Sequence, residues 1–501
     1  MILRTLVTVS AVLAGAAAIA ASPPNIVLIV ADDLGWKDLA CYGSDSYETP
    51  HIDQLASSGV RYSDAYATCP VCSPSRASLM TGKNPARLGL TAHIGDPQPE
   101  NWKRDTPLKP APYIGNLPLE EITLAERLHD AGYATLHAGK WHLGGERHWP
   151  EYQGFDVNIG GWSQGGPFGG KQYYSPYANP RLSDGPEGEY LTDRLASEAA
   201  QFIHARRFKP FFVYLPFYSV HVPLVARKDL LEKYEQKFSR SDAIEMVQTL
   251  DGTERARQDH AVYAAMVEAM DQAVGVVLNA IQEAGVADNT IVVFTSDNGG
   301  LATGDIGISA EQGWPTTNKP LRAGKGWLYE GGIRVPLIVR PPGESVSGAV
   351  SSRVVTGCDL YRSLLTLAEL DVPESEGLDS VSFAGSLAAE ESQRPPAYWH
   401  YPHYGNQGGR PGGAMRMGDW KLIEWFGENE NDSDVELYNL RDDIGEANNL
   451  ADECPDRLQS MHTALREWRK ELGARMPSPN NVSVSPTQVS LPDEKSNSAR
   501  R

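Results

Sequence analysis

Five stretches of the chain are apolar without a break and then turn abruptly polar: NIVLIVADD, YATLHAGKWH, FFVYLPFYSVH, TIVVFTSDN and VPLIVRPP. A strand with one face in water alternates apolar and polar residues. A strand covered on both faces stays apolar throughout, so these runs predict a parallel sheet buried between layers. Between them the pattern takes a helical period. TLAERLHDAGY places Thr123 three residues before Glu126, the spacing of a capping box, and stops at Gly132. HAVYAAMVEAMDQAVGVVLNAIQEAG puts Val262, Met266, Met270, Val277 and Ile281 on one face and stops at Gly285. LTDRLASEAAQFI predicts a third helix. Strands alternating with helices imply an α/β layered body, with the two methionines in its core.

After about residue 390 the texture changes. GAMRMGDWKLIEWF and ELYNL read as short antiparallel strands, and CPDRLQSMHTALREWRKEL as a helix after them. The reading is a large domain over 22–390, a small α+β domain over 391–476, and a Ser-, Asn- and Pro-rich disordered tail over 477–501. Residues 1–21 read as a secretory signal peptide: Arg4, an alanine-rich apolar run, and small residues suited to cleavage near Ala20 or Ala21. The run is too short and too alanine-rich for a membrane span, and no other segment is expected to cross a bilayer. These features predict a periplasmic or secreted protein.

The formal net charge of −19 argues against a nucleic acid or an anionic membrane as partner. Any anionic substrate must then meet a local cluster of cations. The five cysteines are too few for a disulfide scaffold, and Cys41, Cys358 and Cys454 read as small buried residues. Cys69 and Cys72, in TCPVCSPSR, leave four readings open: a redox couple, half a zinc site, a disulfide loop, or one functional residue beside a bystander.

Ligand-binding residues of parallel sheets gather beyond the carboxyl ends of the strands. There the runs end in Asp32 and Asp33, in Lys140 and His142, in His221, and in Asp297 and Asn298. Each alone reads as a turn, a cap or a loop histidine. Together, Asp32, Asp33, Asp297 and the Asn298 carbonyl form an all-oxygen set suited to a hard divalent cation, Ca²⁺ before Mg²⁺, whereas zinc favours His or Cys. The two histidines with Arg76, Lys140 and Lys325 suit a tetrahedral oxyanion beside that metal. This is an arrangement for ester transfer at sulfur or phosphorus.

CSPSRASLMTG is similar to the signature of the type I sulfatases, in which Cys-x-Pro-Ser-Arg precedes Thr-Gly. The resemblance extends in order through PNIVLIVADDLGW, TPHIDQLASSGVRYSDAYA, AGKWHLG, SVHVPL, FTSDNGG, LRAGKGWLYEGGIRVP, HYPHY and WKLIEWF…ELYNL, nearly the whole chain. It implies an alkaline-phosphatase-like fold, a large mixed and mostly parallel sheet sandwiched by helices, with a smaller C-terminal α+β subdomain. It also implies that a formylglycine-generating maturation enzyme oxidises Cys72 to formylglycine. Asp32, Asp33, Asp297, Asn298 and the modified residue 72 then hold Ca²⁺. Arg76 and His142 orient residue 72, Lys140 bridges it to the sulfate, and His221 and Lys325 bind the sulfate, with His221 the acid for the leaving oxygen. Lys319 falls outside the GKG match. The hydrated aldehyde attacks with one hydroxyl, and the other expels sulfate by restoring the aldehyde. In this reading Cys69 is a bystander and forms no disulfide with Cys72.

The resemblance is nearest to bacterial carbohydrate sulfatases of the arylsulfatase A type. It implies an O-sulfated sugar substrate of the galactose or N-acetylgalactosamine kind. The Gly-rich NIGGWSQGGPFGGKQYYSPYANP and the aromatic YWHYPHYGNQ suggest a sugar cleft, with His400 and His403 as contacts. The rival readings are a phosphodiesterase or phosphonate hydrolase of the same superfamily, and an inactive glycan-binding protein.

Overall fold

The computed structural model describes residues 22–239, 245–249, 251–305, 314–343, 346–373, 377–388, 394–428 and 433–480. The proposed signal peptide lies outside them, as does the domain boundary near 390. Eight strands form the main sheet: β1 (Asn25–Ala31), β2 (Val60–Tyr62), β3 (Ala134–Ala138), β4 (Val157–Ile159), β5 (Phe211–Pro216), β6 (Thr290–Ser296), β7 (Leu337–Arg340) and β8 (Ala349–Ser351). Their order is β8-β2-β7-β6-β1-β5-β3-β4. All five apolar runs of the sequence are strands here, and β1 shows why they carry no polar positions. Val27, Ile29 and Ala31 enter one core, while Ile26, Leu28 and Val30 enter the other.

Helices cover both faces. Residues of α3 (Leu191–Arg206) and α4 (Ala261–Glu283) fill the first core, with Met266 and Met270 fully buried. The second core takes α1 (Cys72–Thr81), α2 (Leu124–Asp130) and α5 (Asp359–Leu367). The capping box of α2 is formed: Thr123 Oγ1 accepts from Glu126 N–H at 3.1 Å, and Glu126 Oε2 accepts from Thr123 N–H at 2.7 Å. Two expectations need correction. The VPLIVRPP strand, β7, runs antiparallel to both its neighbours, because the chain reaches it from the turn of helix at Glu330–Ile333, which lies against Gly299 beyond the carboxyl end of β6. And α4 is in fact long and apolar enough to cross a membrane, although most of it is buried inside the protein; it is a core helix.

The small domain is a four-stranded antiparallel sheet of β9 (Ala397–Tyr401), β10 (Gly412–Met417), β11 (Trp420–Trp425) and β12 (Asp434–Asn439). One face packs on α6 (Pro455–Leu472) through Met461 and Leu465. The other face, with Trp399, Ile423 and Trp425, packs on Cys69, Val71 and Trp327 of the large domain. The small sheet therefore buttresses the segment that leads into α1. At the start of the expected tail, Ser478–Pro479 pair with Leu108–Lys109, and Asn480 N–H donates to Pro107 at 2.8 Å. The chain is thus ordered to 480, its backbone groups satisfied by an extended partner; residues 481–501 lie outside the described ones.

Candidate active site

The site is built where β1, β3, β5 and β6 end. Asp32 continues the sheet for one more residue: its N–H donates to Ser219 O at 2.9 Å, and its carbonyl accepts from Val220 N–H at 2.8 Å. This brings the end of β1 beside His221. Asp33 then turns away with φ 61°, and His142 turns out of the β3 end with φ 56°. Left-handed backbone at residues with a β-carbon is uncommon and concentrates at functional sites. Gly139 permits the close approach of β3 and β5, because a Cβ there would sit 1.9 Å from Pro216 O.

Helix α1 places the cysteine. Val71 is the extended N-cap and Cys72 the first helical residue. Ser75 ties the entry down: its hydroxyl donates to Cys69 O at 2.9 Å and accepts from Cys69 N–H at 3.1 Å. Gly82 ends the helix in the left-handed region, φ 68°. One turn in from Cys72, Arg76 reaches under the sheet ends. Its Nε donates to Asp297 Oδ2 at 2.8 Å, and a terminal nitrogen donates to Lys140 O at 3.0 Å. Cys69 and Cys72 are both free thiols.

Three carboxylates face three cations, nearly all without solvent contact. Lys140 Nζ donates to both oxygens of Asp32 at 3.0 and 2.8 Å. Lys325 Nζ donates to Asp33 Oδ2 at 2.7 Å, and His221 Nε2 lies 3.7 Å from the same oxygen. Burial pushes the Asp32 carboxyl well above the usual carboxylate range, against Lys140, with Asp297 and Asp33 adding to the rise. Burial acts the same way on Asp33, but Lys325 and His221 outweigh it and hold that carboxyl down. For Cys72, burial opposes ionisation, yet Lys140, His142 and His93 hold the thiol well below its ordinary range. Burial and Lys325 push His221 down to about 3, and burial pushes His142 down to about 4.

These donors fit a divalent cation. Asn298 Nδ2 donates to Asp33 Oδ1 at 2.8 Å, while the buried Asn298 Oδ1 has no hydrogen-bond partner among the described residues. An acceptor left bare beside Asp32, Asp33 and Asp297 is what an oxygen-seeking cation satisfies. All the residues assigned above to metal and sulfate therefore come together in the fold.

A cavity of about 570 Å³ adjoins them, with His93, His142, His221 and Lys325 among its lining residues. Both segments expected to form a sugar cleft contribute, though not through the residues expected. The Gly-rich stretch supplies Ser163, Gln164, Gly165 and Phe168, and the aromatic stretch supplies Tyr401, Asn406 and Gln407. His400 and His403 do not line it. Each is 3% exposed; His400 Nε2 is paired with Arg475 O and His403 Nε2 with Thr91 Oγ1, both at 2.9 Å. Assigning them to substrate is corrected: they are structural rings of the small sheet and its border. His93 is the reverse case. It lies in an irregular loop after α1, with no strand end or periodicity to mark it, yet stands beside Cys72.

A family model described as Sulfatase matches residues 24–370, and one described as N-sulphoglucosamine sulphohydrolase, C-terminal, matches 323–472. A sulfatase of Formosa agariphila is 34% identical, covering 89% of this chain and 88% of its own. The human N-acetylgalactosamine-6-sulfatase is 32% identical, covering 76% of this chain and 69% of its own. The structure of Ps i-CgsB in complex with k-i-k-neocarrahexaose superposes with a TM-score of 0.71 at 30% identity, covering 89% of this chain and 93% of that one. The chain belongs to the sulfatase family and is a sulfuric ester hydrolase.

Proposed function

We propose that the protein removes sulfate from O-sulfated sugars of the galactose or N-acetylgalactosamine type, using residue 72 as formylglycine and a bound Ca²⁺. The observation that carries this reading is the position of Cys72. It is the first residue of α1, fully buried, with Sγ 3.4 Å from His142 Nδ1 and the carboxylate–cation cluster around it. A protein that only bound glycans would need no oxidisable side chain there. The relatives named for N-acetylgalactosamine 6-sulfate and the neocarrahexaose complex support the sugar class.

Asp32, Asp33, Asp297 and Asn298 would hold Ca²⁺, which when bound stabilises negative charge on oxygen in the site. The hydrated aldehyde at residue 72 supplies a nucleophile that regenerates itself. The protein's own side chains do the rest. His142 Nε2 lies 3.0 Å from Ile94 O. A carbonyl only accepts, so Nε2 carries the hydrogen and Nδ1 turns a lone pair toward residue 72 and Ser73 Oγ, 3.2 Å away. His142 is thereby fixed as a proton acceptor. Arg76 fixes the floor through two rigid donors. Lys140 and Lys325 offset the charge of the sulfuryl group. His221, 3.7 Å from Asp33 and on the cavity wall, would meet the sulfate beside Lys325. The apolar N-terminal run supports export of the chain.

Mass spectrometry of the peptide holding residue 72, from protein made by its native host, should show formylglycine. The same protein should hydrolyse a sulfated galactose or N-acetylgalactosamine faster than the matching phosphate ester. An unmodified thiol sinks the aldehyde chemistry, and faster phosphate turnover assigns the site to phosphorus instead.

A further inference from the structure

Among the polar residues that line the cavity, His93 has no part in the assignments above. Its ring meets that of His142 edge-on, with centroids 4.6 Å apart at 67°. One nitrogen of each ring and Cys72 Sγ all lie within 4.8 Å of one another. The two imidazoles are placed differently. His142 is 2% exposed and held by Ile94 O on one side and Ser73 Oγ on the other. The His93 side chain is 35% exposed and opens into the cavity.

A carboxylate that lines the same cavity stands beside His93. Asp96 Oδ1 lies 3.8 Å from its Nδ1. The turn between them is closed by Asp96 N–H donating to His93 O at 3.0 Å. Tyr113 secures that turn, its hydroxyl donating to Asp96 O at 2.8 Å and accepting from Gly95 N–H at 3.2 Å. An imidazole on a pinned turn, beside a carboxylate and open toward a cavity, is preorganised to meet a ligand. A loop histidine that only packed on His142 would not need the cavity-facing half of its ring.

We propose that His93 is a catalytic residue of this enzyme, touching residue 72 and the bound ester from the cavity side, with Asp96 and Tyr113 as positioning residues. The inference rests on the sulfate ester reading above. His93 donates a hydrogen bond to the sugar beside the sulfate ester, while Lys325 and His221 hold the sulfate and His221 serves the leaving oxygen.

The test uses full-length His93→Ala and His93→Gln, with the same fraction of modified residue 72 as the wild type. On a sulfated monosaccharide, kcat/KM should fall about 10²-fold in His93→Ala, the usual cost of losing one preorganised donor. The glutamine amide should restore about tenfold of that. In a Cys72→Ala background, which cannot turn over, calorimetry should show His93→Ala binding the sulfated sugar about tenfold more weakly, with inorganic sulfate bound as before. The inference is overturned by sugar binding and kcat/KM within about twofold of wild type, the range of an unengaged surface residue. It is overturned equally by a loss confined to thermal stability, or by zinc bound to the native protein and released in His93→Ala. A modified wild type that hydrolyses no sulfate monoester sinks the function reading itself; an active wild type indifferent to His93 sinks only this inference.

Discussion

Arg76 and Asp297 meet at the floor of the site, with Nε and a terminal nitrogen of the guanidinium each 2.8 Å from the same carboxylate oxygen and both side chains fully buried. The contact joins the first helical turn after Cys72 to the end of β6 and so fixes residue 72 relative to Asp297 and its neighbours. Arg76→Lys keeps the charge but loses the planar fork and the bond to Lys140 O. We expect kcat/KM to fall about 10²-fold and the thermal midpoint to drop, read by steady-state kinetics and calorimetry. Wild-type kinetics in this variant would remove Arg76 from the catalytic arrangement.

The sheet and the floor of the site were legible in the sequence because both obey local rules. A strand buried on both faces must be apolar, and the polar residue that ends it must lie beyond the carboxyl edge, so Asp32, Lys140, His221 and Asp297 group from the sequence alone. The direction of β7 was not legible, since an apolar run carries no sign of its polarity within the sheet. The cavity wall was legible only as segments. His400 and His403 look like ligands in YWHYPHY, but packing buries both rings, His400 within β9 and His403 just beyond it. His93 sits in a loop whose path is set by tertiary contacts with Tyr113 and His142. Nothing in AHIGD announces it.

The bare Asn298 Oδ1 leads to a prediction that does not depend on turnover. Adding Ca²⁺ to chelator-treated protein should raise the thermal midpoint, with about 2.7 kcal/mol gained at a hundredfold excess over Kd. Asn298→Ala should lose most of that increment. If neither Ca²⁺ nor Mg²⁺ shifts the midpoint, the four oxygen donors do not form a metal site.

Two lysines near each other in the sequence should behave oppositely. Lys325 Nζ is buried on Asp33, and that carboxylate holds its charge firmly against burial; Lys319 is exposed. Lys325→Met removes the cation proposed to face the sulfate and leaves Asp33 short of a partner, so KM should rise at least tenfold and kcat/KM fall by about 10² or more. Lys319→Met should stay within about twofold of wild type. Kinetics on one sulfated monosaccharide decides the matter, and a reversal of the two outcomes would move the sulfate site.

His403 gives a stability prediction with a definite sign. Burial, with a smaller contribution from His400, pushes its ring from the ordinary 6.5 down to about 3. Between those values the unfolded chain binds a proton that the folded chain refuses, so stability is full above pH 6.5 and is lost as pH falls toward 3. At pH 5 this one ring costs about 2 kcal/mol relative to pH 7. His403→Gln has nothing to titrate there and keeps an amide to pair with Thr91 Oγ1. It should therefore lose about 2 kcal/mol less than the wild type between pH 7 and pH 5. The other buried histidines with depressed pKa values, His137, His142, His221 and His400, are present in both proteins and cancel to first order in the comparison. Urea unfolding at the two pH values measures the difference directly, and equal losses in the two proteins would mean that His403 takes up its proton in the folded state and is not the buried neutral ring described above.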